Sequence, residues 1–523
     1  MDVRGLMRQA ARLNANRLAV VHGDRRLTFD EAWRRGLRMA NALLDLGLQP
    51  GDRVGVLEDN SIEAQDFFAG ATAAHLVRVP LYARNSRESH IHMLSHTGCR
   101  AVVVSEHYAE EIESIRDELP TVEHVIVRGR HDGASYDDWL AGFPDTEPEV
   151  TIDPDDWYII RHTGGTTGKS KGVAYSHRSW LAAGRDWFYN FPPMVAGEKC
   201  LHVGPISHGS GYLYTPTWLS GGCNVLLDHF DPADTIDVME REGIGFMFAV
   251  PAMLNALARE PSARSRDWSK LRVIQIGGAP ISDETALLGR DVFGDVLYQG
   301  FGQTEALPVC MMGPEEWFSA VEGSNPLRST GRALPFAYLQ IRDPEDSAVE
   351  MPIGEEGEIA VKCDGQMLEF WDNPEATAER ITADGFVLTG DIGRLDANGY
   401  LYVLDRKDDM IISGGFNIWP AELENVIADH PAVVEVAVFA VPHERWGESP
   451  MAVCTVADGT SPEDQTVVDE INALCAERLG SYKKPSAVEL RLEPLPKSPV
   501  GKIQRRTLRE RHWADTDRRI AGV

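Results

Sequence analysis

Trp157-Tyr158-Ile159-Ile160-Arg161-His162-Thr163-Gly164-Gly165-Thr166-Thr167-Gly168-Lys169-Ser170-Lys171-Gly172 is the stretch on which the reading of this chain turns. Trp157 to Ile160 form an apolar run that predicts a buried strand. From Thr163 the composition changes to glycine, hydroxylated residues and lysine. Glycines let a backbone curl until its N–H groups converge on an anion, while threonine hydroxyls and lysine ammoniums add donors and positive charge. The stretch therefore reads as a phosphate-gripping loop carried on a strand. It is not a Walker A loop, because G-x-x-x-x-G-K-[ST] would need a glycine where Thr163 stands.

Outward from this loop, helices alternate with short Val/Ile-rich runs. Thr28-Phe29-Asp30-Glu31 is a capping box opening a helix that places Leu37, Ala40, Leu43 and Leu44 on one face and stops at Gly47. Strands are expected at Arg53–Leu57, at Ala101 to Val104 and at His124 to Val127, with a helix from about Ile62 to Ala74. The alternation predicts layered α/β architecture with largely parallel sheets. After residue 340, Pro- and Gly-rich turns suggest a β-rich subdomain closing at Gly399 to Leu404. The polar run Asp405 to Asp409 reads as a linker, and the remainder as a compact α+β unit with a helix starting at Pro420. Three parts are expected: 1–404, a linker at 405–409, and 410–523.

Downstream come Tyr298-Gln299-Gly300-Phe301-Gly302-Gln303-Thr304-Glu305, then Thr389-Gly390-Asp391, then Asp405-Arg406-Lys407-Asp408 leading to Gly414-Gly415. Last is Leu495-Pro496-Lys497-Ser498-Pro499-Val500-Gly501-Lys502, a basic segment in an acidic chain. In this order and spacing the segments resemble the adenylate-forming superfamily of acyl-CoA synthetases, carrier-protein adenylation domains and luciferases, over roughly Leu18 to Arg506. The resemblance implies a large N-terminal domain, a small mobile C-terminal domain, and an acyl-CoA synthetase using ATP, Mg2+ and coenzyme A. It assigns ATP binding to Thr163, Gly164, Gly165, Thr166, Thr167, Gly168, Lys169 and Lys171. To these it adds Gly278-Ala279-Pro280 at the adenine, the stretch Gln299 to Gly302 with Thr304, and Asp391 and Arg406 at the ribose. Phe301 departs from the tyrosine common at its position; its ring can still stack on adenine. Thr304 would bond the α-phosphate and Glu305 would place the Mg2+. Lys502 matches the lysine that bridges the substrate carboxylate and α-phosphate. Asp408 occupies the family's hinge position.

The acyl pocket should be bordered by His208, Gly209, Ser210 and Gly211, with Gly278 nearby. No acidic residue occurs between Pro205 and Gly222, which disfavours an amino acid, whose α-amine would want a carboxylate partner. A medium- or long-chain fatty, alicyclic or aryl acid fits better. Gly414 and Gly415 match the edge along which a pantetheine arm runs; Trp446, Tyr482, Lys483 and Lys484 match positions some CoA ligases use for the nucleotide end. A ligase loading a carrier protein is the nearest alternative. A serine hydrolase could be argued from Ser207-His208-Gly209-Ser210-Gly211, but neither serine sits in G-x-S-x-G.

Composition agrees with this picture. A net charge of -29 over 523 residues argues against nucleic acid or anionic membrane as partners, so an anionic ligand needs a local cationic site. The 43% hydrophobic content supports well-built cores. Seven scattered cysteines without a C-x-x-C pair suit reduced thiols in a cytoplasmic protein rather than a disulfide framework or zinc site. No apolar run approaches the ~20 residues of a membrane helix. The expected partners are a small carboxylic acid, ATP and CoA, and a homodimer is compatible.

Overall fold

The thirteen-residue α-helix His177–Tyr189 and the strands Trp157–Thr163 and Lys171–Ser176 that precede it sit in the body of the first of two units. The computed structural model describes residues 1–83, 85–128, 136–163, 170–413, 416–443, 445–457, 459–480, 483–497 and 503–513. Residue contacts group 1–339, 361–387 and 398–401 into one unit, and 340–360, 388–397 and 402–523 into another.

The first unit is built on two sheets. A seven-stranded sheet has the order Glu369–Phe370, Lys171–Ser176, Trp157–Thr163, Val77–Pro80, Arg53–Leu57, Ala101–Ser105, His124–Arg128. Its last five strands are parallel, and Lys171–Ser176 pairs antiparallel with both of its neighbours. A nine-stranded sheet carries Phe246–Ala249, Val273–Ile276 and Leu297–Gln303 side by side in parallel, followed by Ala306–Met312 in antiparallel register. The Thr28/Glu31 capping box forms as expected and opens the helix Phe29–Asp45, with Gly47 at φ 87° just past its end. Helix Ile62–Ala73 is buried at every position except Glu63; its buried Asp66 pairs with Arg35 at 2.6 Å and its buried Gln65 donates to Ala32 O at 3.0 Å.

Leu401–Arg406 is the edge strand of a four-stranded sheet with Val387–Leu395, Gly357–Cys363 and Ala337–Arg342. Asp405 and Arg406 thus complete a strand, and Lys407–Asp409 form a short 3-10 turn. The contact grouping accordingly differs from a division at 404/405. The C-terminal residues add a five-stranded sheet in which the long antiparallel pair Val433–His443 and Gly447–Val456 packs against helices Pro420–Ile427 and Gln465–Leu479. Pro420 stands at the first position of its helix, where a missing N–H costs nothing. All seven cysteines are unpaired and buried. Among the described residues no helix is long and apolar enough to cross a membrane.

Candidate active site

Strands Trp157–Thr163 and Lys171–Ser176 pair antiparallel with Thr163 opposite Lys171. This pairing closes the mouth of the loop read as the phosphate grip. Gly164, Gly165, Thr166, Thr167, Gly168 and Lys169 lie outside the described residues. At the rim, the backbone oxygen of Ser170 accepts from His92 Nε2 at 2.8 Å, and the Lys171 ammonium lies 5.2 Å from the Phe370 ring centroid.

Thr304 and Glu305 form the two-residue turn between Leu297–Gln303 and Ala306–Met312, whose register pairs Gln303 with Ala306. A tight hairpin turn is a rigid way to hold two side chains at the end of a sheet. Two further bonds fix it: Tyr175 donates its hydroxyl to Thr304 O at 2.6 Å, and the Met367 N–H donates to Glu305 O at 2.8 Å. The Glu305 carboxylate is buried, 3.6 Å from the Arg380 guanidinium. One strand back, Gln299 is buried with its Oε1 unpartnered. A Cβ on Gly300 would come within 2.7 Å of Gln275 Nε2, so that site tolerates only glycine without rearrangement. Gly278, Ala279 and Pro280 form an exposed loop after Val273–Ile276, with Gly278 at φ +81°.

His208 stacks flat on Tyr82, with centroids 3.9 Å apart and planes 5° apart, and donates from Nε2 to Leu81 O at 2.8 Å. Burial first, and then the Arg161 charge, push its pKa down to about 3. The ring is therefore neutral at physiological pH, and with Nε2 donating, Nδ1 is left as an acceptor. Ser210 precedes helix Gly211–Leu219. The absent side chain of Gly211 does not open acyl space: a Cβ there would lie 1.8 Å from Ile206 O, so this glycine serves the turn. At Gly209 a Cβ would meet Phe248 at an ordinary 3.7 Å. Arg161, which the motif reading passed over, is buried with its guanidinium 4.3 Å from the Tyr212 ring centroid. Its signal in the sequence was a cation inside an otherwise apolar strand run.

In the second unit, Asp391 is buried and pairs with Arg406 at 2.8 Å, so the two residues expected at the ribose are brought together. The Asp391 N–H donates to Thr389 Oγ1, which itself donates to Ile359 O at 2.8 Å. Asp408 lies in the 3-10 turn that follows. Asp405 accepts from the backbone N–H groups of Ala421 at 2.6 Å and Arg406 at 2.8 Å. Arg505 reaches Asp409 at 2.9 Å, Glu424 at 2.6 Å and Asp405 at 3.7 Å. Burial pushes the Asp405 carboxyl up to about 7 in spite of these donors. Trp446 is 43% exposed, with the Arg445 guanidinium 4.4 Å from its ring. Lys483 is paired with Glu422, which leaves Lys484 as the exposed cation of that turn. Gly414, Gly415, Tyr482 and Lys502 lie outside the described residues.

Residues 6–371 match the sequence profile of the AMP-binding enzymes, and residues 422–502 match that of the AMP-binding enzyme C-terminal domain. The chain belongs to the AMP-binding enzyme family. It is 34% identical over 505 residues to a feruloyl-CoA synthase of Amycolatopsis sp, covering 96% of this chain and 97% of that one. It is 31% identical over 511 residues to the fatty acid–[acyl-carrier-protein] ligase ScoC of Streptomyces coeruleorubidus, covering 96% and 95%. Among solved structures, ATP-bound MatB from Rhodopseudomonas palustris superposes with a TM-score of 0.88 at 27% identity, covering 98% of this chain and 99% of that one. The large and small domains, and the mix of helices and sheets in each, are those of this family of adenylate-forming enzymes.

Proposed function

We propose that this AMP-binding enzyme is an ATP-dependent acid–thiol ligase acting on an apolar fatty, alicyclic or aryl acid and on CoA. A carboxylate cannot expel oxide when a thiol attacks it. In the first half-reaction a carboxylate oxygen therefore attacks the α-phosphorus of ATP, the bond to the β-phosphate breaks, and pyrophosphate leaves. In the second, the thiol sulfur bonds to the acyl carbon, the bond to AMP breaks, and the thiol proton goes to solvent. The observation that carries the reading is the pairing of two hairpins with full-length similarity to acyl-activating ligases: Thr163 and Lys171 close a glycine-rich loop, and Thr304 and Glu305 cap a second turn.

In this reading the loop 164–169 with Lys171 grips phosphate, Thr304 bonds the α-phosphate, and the exposed loop Gly278 to Pro280 borders the adenine. Asp391 and Arg406 take the ribose, and Lys502 neutralises the charge that builds when two anions meet. Among the described residues no cluster of three or more His, Cys, Asp or Glu could hold a metal. A buried single carboxylate such as Glu305 still suits Mg2+, a hard cation that takes few protein ligands when phosphates and water complete its shell. Bound there, Mg2+ would neutralise phosphate charge; Glu305 would hold it, with Arg380 the side chain that must yield. The aromatic faces of Tyr82 and Tyr212 and the lack of an acidic residue from Pro205 to Gly222 support an apolar acid. Gly414, Gly415, Trp446, Tyr482, Lys483 and Lys484 are assigned to CoA, and Asp408 to a hinge that reorients the part from 410 onward between half-reactions. A cytoplasmic location fits the ligands.

The test is a pyrophosphate-release screen over carboxylic acids with ATP and Mg2+, followed by thioester detection with CoA and with holo carrier protein. The second acceptor is included because of the similarity to ScoC. No pyrophosphate with any acid, or ATP-independent ester cleavage, would overturn the proposal.

A further inference from the structure

Asn60 lies at the end of the short loop between strand Arg53–Leu57 and helix Ile62–Ala73. It is 3% exposed, and both atoms of its amide are bonded. Nδ2 donates to His202 O at 3.0 Å, Gly204 O at 2.8 Å and Leu227 O at 3.1 Å, two N–H groups shared among three carbonyls. Oδ1 accepts from the Ile206 N–H at 2.8 Å. His202 closes strand Lys199–His202, and Leu227 follows strand Cys223–Leu226, its parallel neighbour. One side chain from the seven-stranded sheet thus gathers the carboxyl ends of two strands of the nine-stranded sheet.

A polar staple can serve stability alone, and Asn41 is such a case. Its Nδ2 also reaches three carbonyls, Leu37 O at 2.9 Å, Pro144 O at 2.8 Å and Thr146 O at 2.9 Å, but it ties helix Phe29–Asp45 to the largely exposed stretch 144–146. Asn60 differs in what it holds. Ile206 lies in the segment Pro205 to Gly211, read as the acyl border. The same segment is pinned at two further points: His208 Nε2 donates to Leu81 O at 2.8 Å, and His202 Nδ1 to Ser210 O at 3.1 Å. Leu81 follows Val77–Pro80, the strand beside Arg53–Leu57. On its other side Val77–Pro80 pairs with Trp157–Thr163, the strand that leads into the phosphate loop. Asn60 and Leu81 therefore anchor the acyl border to the two strands next in line from the phosphate strand.

We infer that Asn60 is a positioning residue for the first half-reaction: it fixes the acyl border against the sheet that carries the phosphate loop, and so sets the approach of the substrate carboxylate to the α-phosphorus. The inference rests on the ligase reading and adds to it how two separate sheets are held in register. Asn60 itself touches no reacting atom. In-line attack is steep in distance, and a misplacement of about 1 Å caused by a remote change can cost about 10²-fold. An aspartate at 60 would keep an acceptor for the Ile206 N–H but lose the donors to three carbonyls and set a charge against them. The second half-reaction starts from acyl-AMP, in which the carboxylate oxygen and the phosphorus are already bonded, so it does not need this alignment.

The experiment compares Asn60→Asp, Asn60→Ala and, as a control staple, Asn41→Asp, with folding checked by circular dichroism. Adenylation is read as pyrophosphate release with ATP, Mg2+ and the fastest acid among octanoate, cyclohexylpropanoate and 3-phenylpropanoate. Thioester formation is read separately from supplied acyl-AMP and CoA. Both Asn60 variants should lose about 100-fold in kcat/KM for the acid, with the KM for ATP and the thioester rate at saturating acyl-AMP close to wild type. Asn41→Asp should leave both half-reactions as they are. No loss, an equal loss in both half-reactions, or the same loss in Asn41→Asp would each overturn the inference, since Asn60 would then be a structural staple only. If neither Asn60 variant folds, hydrogen exchange of wild type decides. Amides of 204–211 should be protected as strongly as those of Arg53–Leu57, and exchange typical of an open loop would overturn the inference. Absence of pyrophosphate with every acid would instead mark failure of the ligase reading itself.

Discussion

Two arginines, one in each unit, Arg161 buried and Arg505 partly buried, are treated in opposite ways. Arg505 is surrounded by Asp405, Asp409 and Glu424, and its fork is satisfied within the protein. Arg161 has an aromatic face and two idle donors. A satisfied guanidinium ties elements together. Here it joins the strand ending at Arg406, the 3-10 turn after it, helix Pro420–Ile427 and the start of helix Arg505–Trp513. An unsatisfied one, as at Arg161, leaves buried donors without an acceptor inside the protein. The same contrast runs through the rest of the two regions. Around the acyl border and the nucleotide hairpin, His208 Nδ1, Ser210 Oγ, Gln299 Oε1 and Arg380 Nε lack partners. Around the linker, Asp405, Lys407 and Glu358 are all bonded. On the proposed reading, the first region serves recognition and the second mechanical connection.

The sharpest way to break this comparison is at Lys502, the cation of the second unit that the proposal assigns to chemistry rather than to connection. Lys502→Ala should lower adenylate formation by about 10²–10³ while leaving thioester formation from supplied acyl-AMP largely intact. Single-turnover assays of each half-reaction read this directly, and unchanged pyrophosphate release would remove Lys502 from the site. Arg505→Met should behave differently, as a loss of stability. It leaves three carboxylates facing one another without their cation, at a cost of about 3 kcal/mol. Because the Asp405 carboxyl is raised to about 7, those charges are partly quenched in acid, so the deficit should be smallest near pH 5 and grow as pH rises through about 7. Denaturant titrations of wild type and variant at several pH values give the result; a deficit independent of pH would mean the cluster is not electrostatically coupled.

Glu305→Gln, nearly isosteric, should raise the Mg2+ concentration needed for half-maximal adenylation roughly 10-fold without unfolding the hairpin. Identical Mg2+ titrations in mutant and wild type would show that Glu305 answers only to Arg380. The smallest effect concerns His162, whose pKa burial pushes from 6.5 down to about 3, helped by the neighbouring His96 and His92. The folded value is depressed, so the stability gained by keeping the ring neutral is complete above about 6.5 and is lost as pH falls toward 3. His162→Gln should therefore flatten the loss of stability between pH 7 and pH 6 by somewhat under 1 kcal/mol. His208, His177 and His202 act in the same sense, while the raised carboxyls of Glu58 and Asp66 oppose them. A slope identical to that of wild type would show that His162 titrates normally.

Much of the layered architecture was legible because local signals agreed with one another. The Thr28/Glu31 box, the Val-rich runs at Arg53 and Ala101, and Pro420 at a helix start each state their own structure through capping, periodicity and fixed φ. The linker was harder to read. Asp405-Arg406-Lys407-Asp408-Asp409 is polar enough to look like a loop, yet its first two residues complete a strand because neighbouring strands supply their hydrogen-bond partners. Gly211 shows the same dependence on tertiary neighbours. A glycine suggests room, but whether the space is empty depends on the Ile206 carbonyl, which the local pattern does not place.

The sequence alone determined the family, the order of the motifs and the chemistry they can support, because glycines, hydroxyls, a lysine and single carboxylates at set spacings carry their function in their composition. Only the tertiary structure decided which charges are neutralised. Asp391 and Arg406 are 15 residues apart in the chain and form one ion pair; Arg505 finds Asp405, 100 residues earlier; Arg161 pairs with no carboxylate among the described residues. Burial and through-space distance set the cost of a charge, and neither is a property of neighbours in sequence.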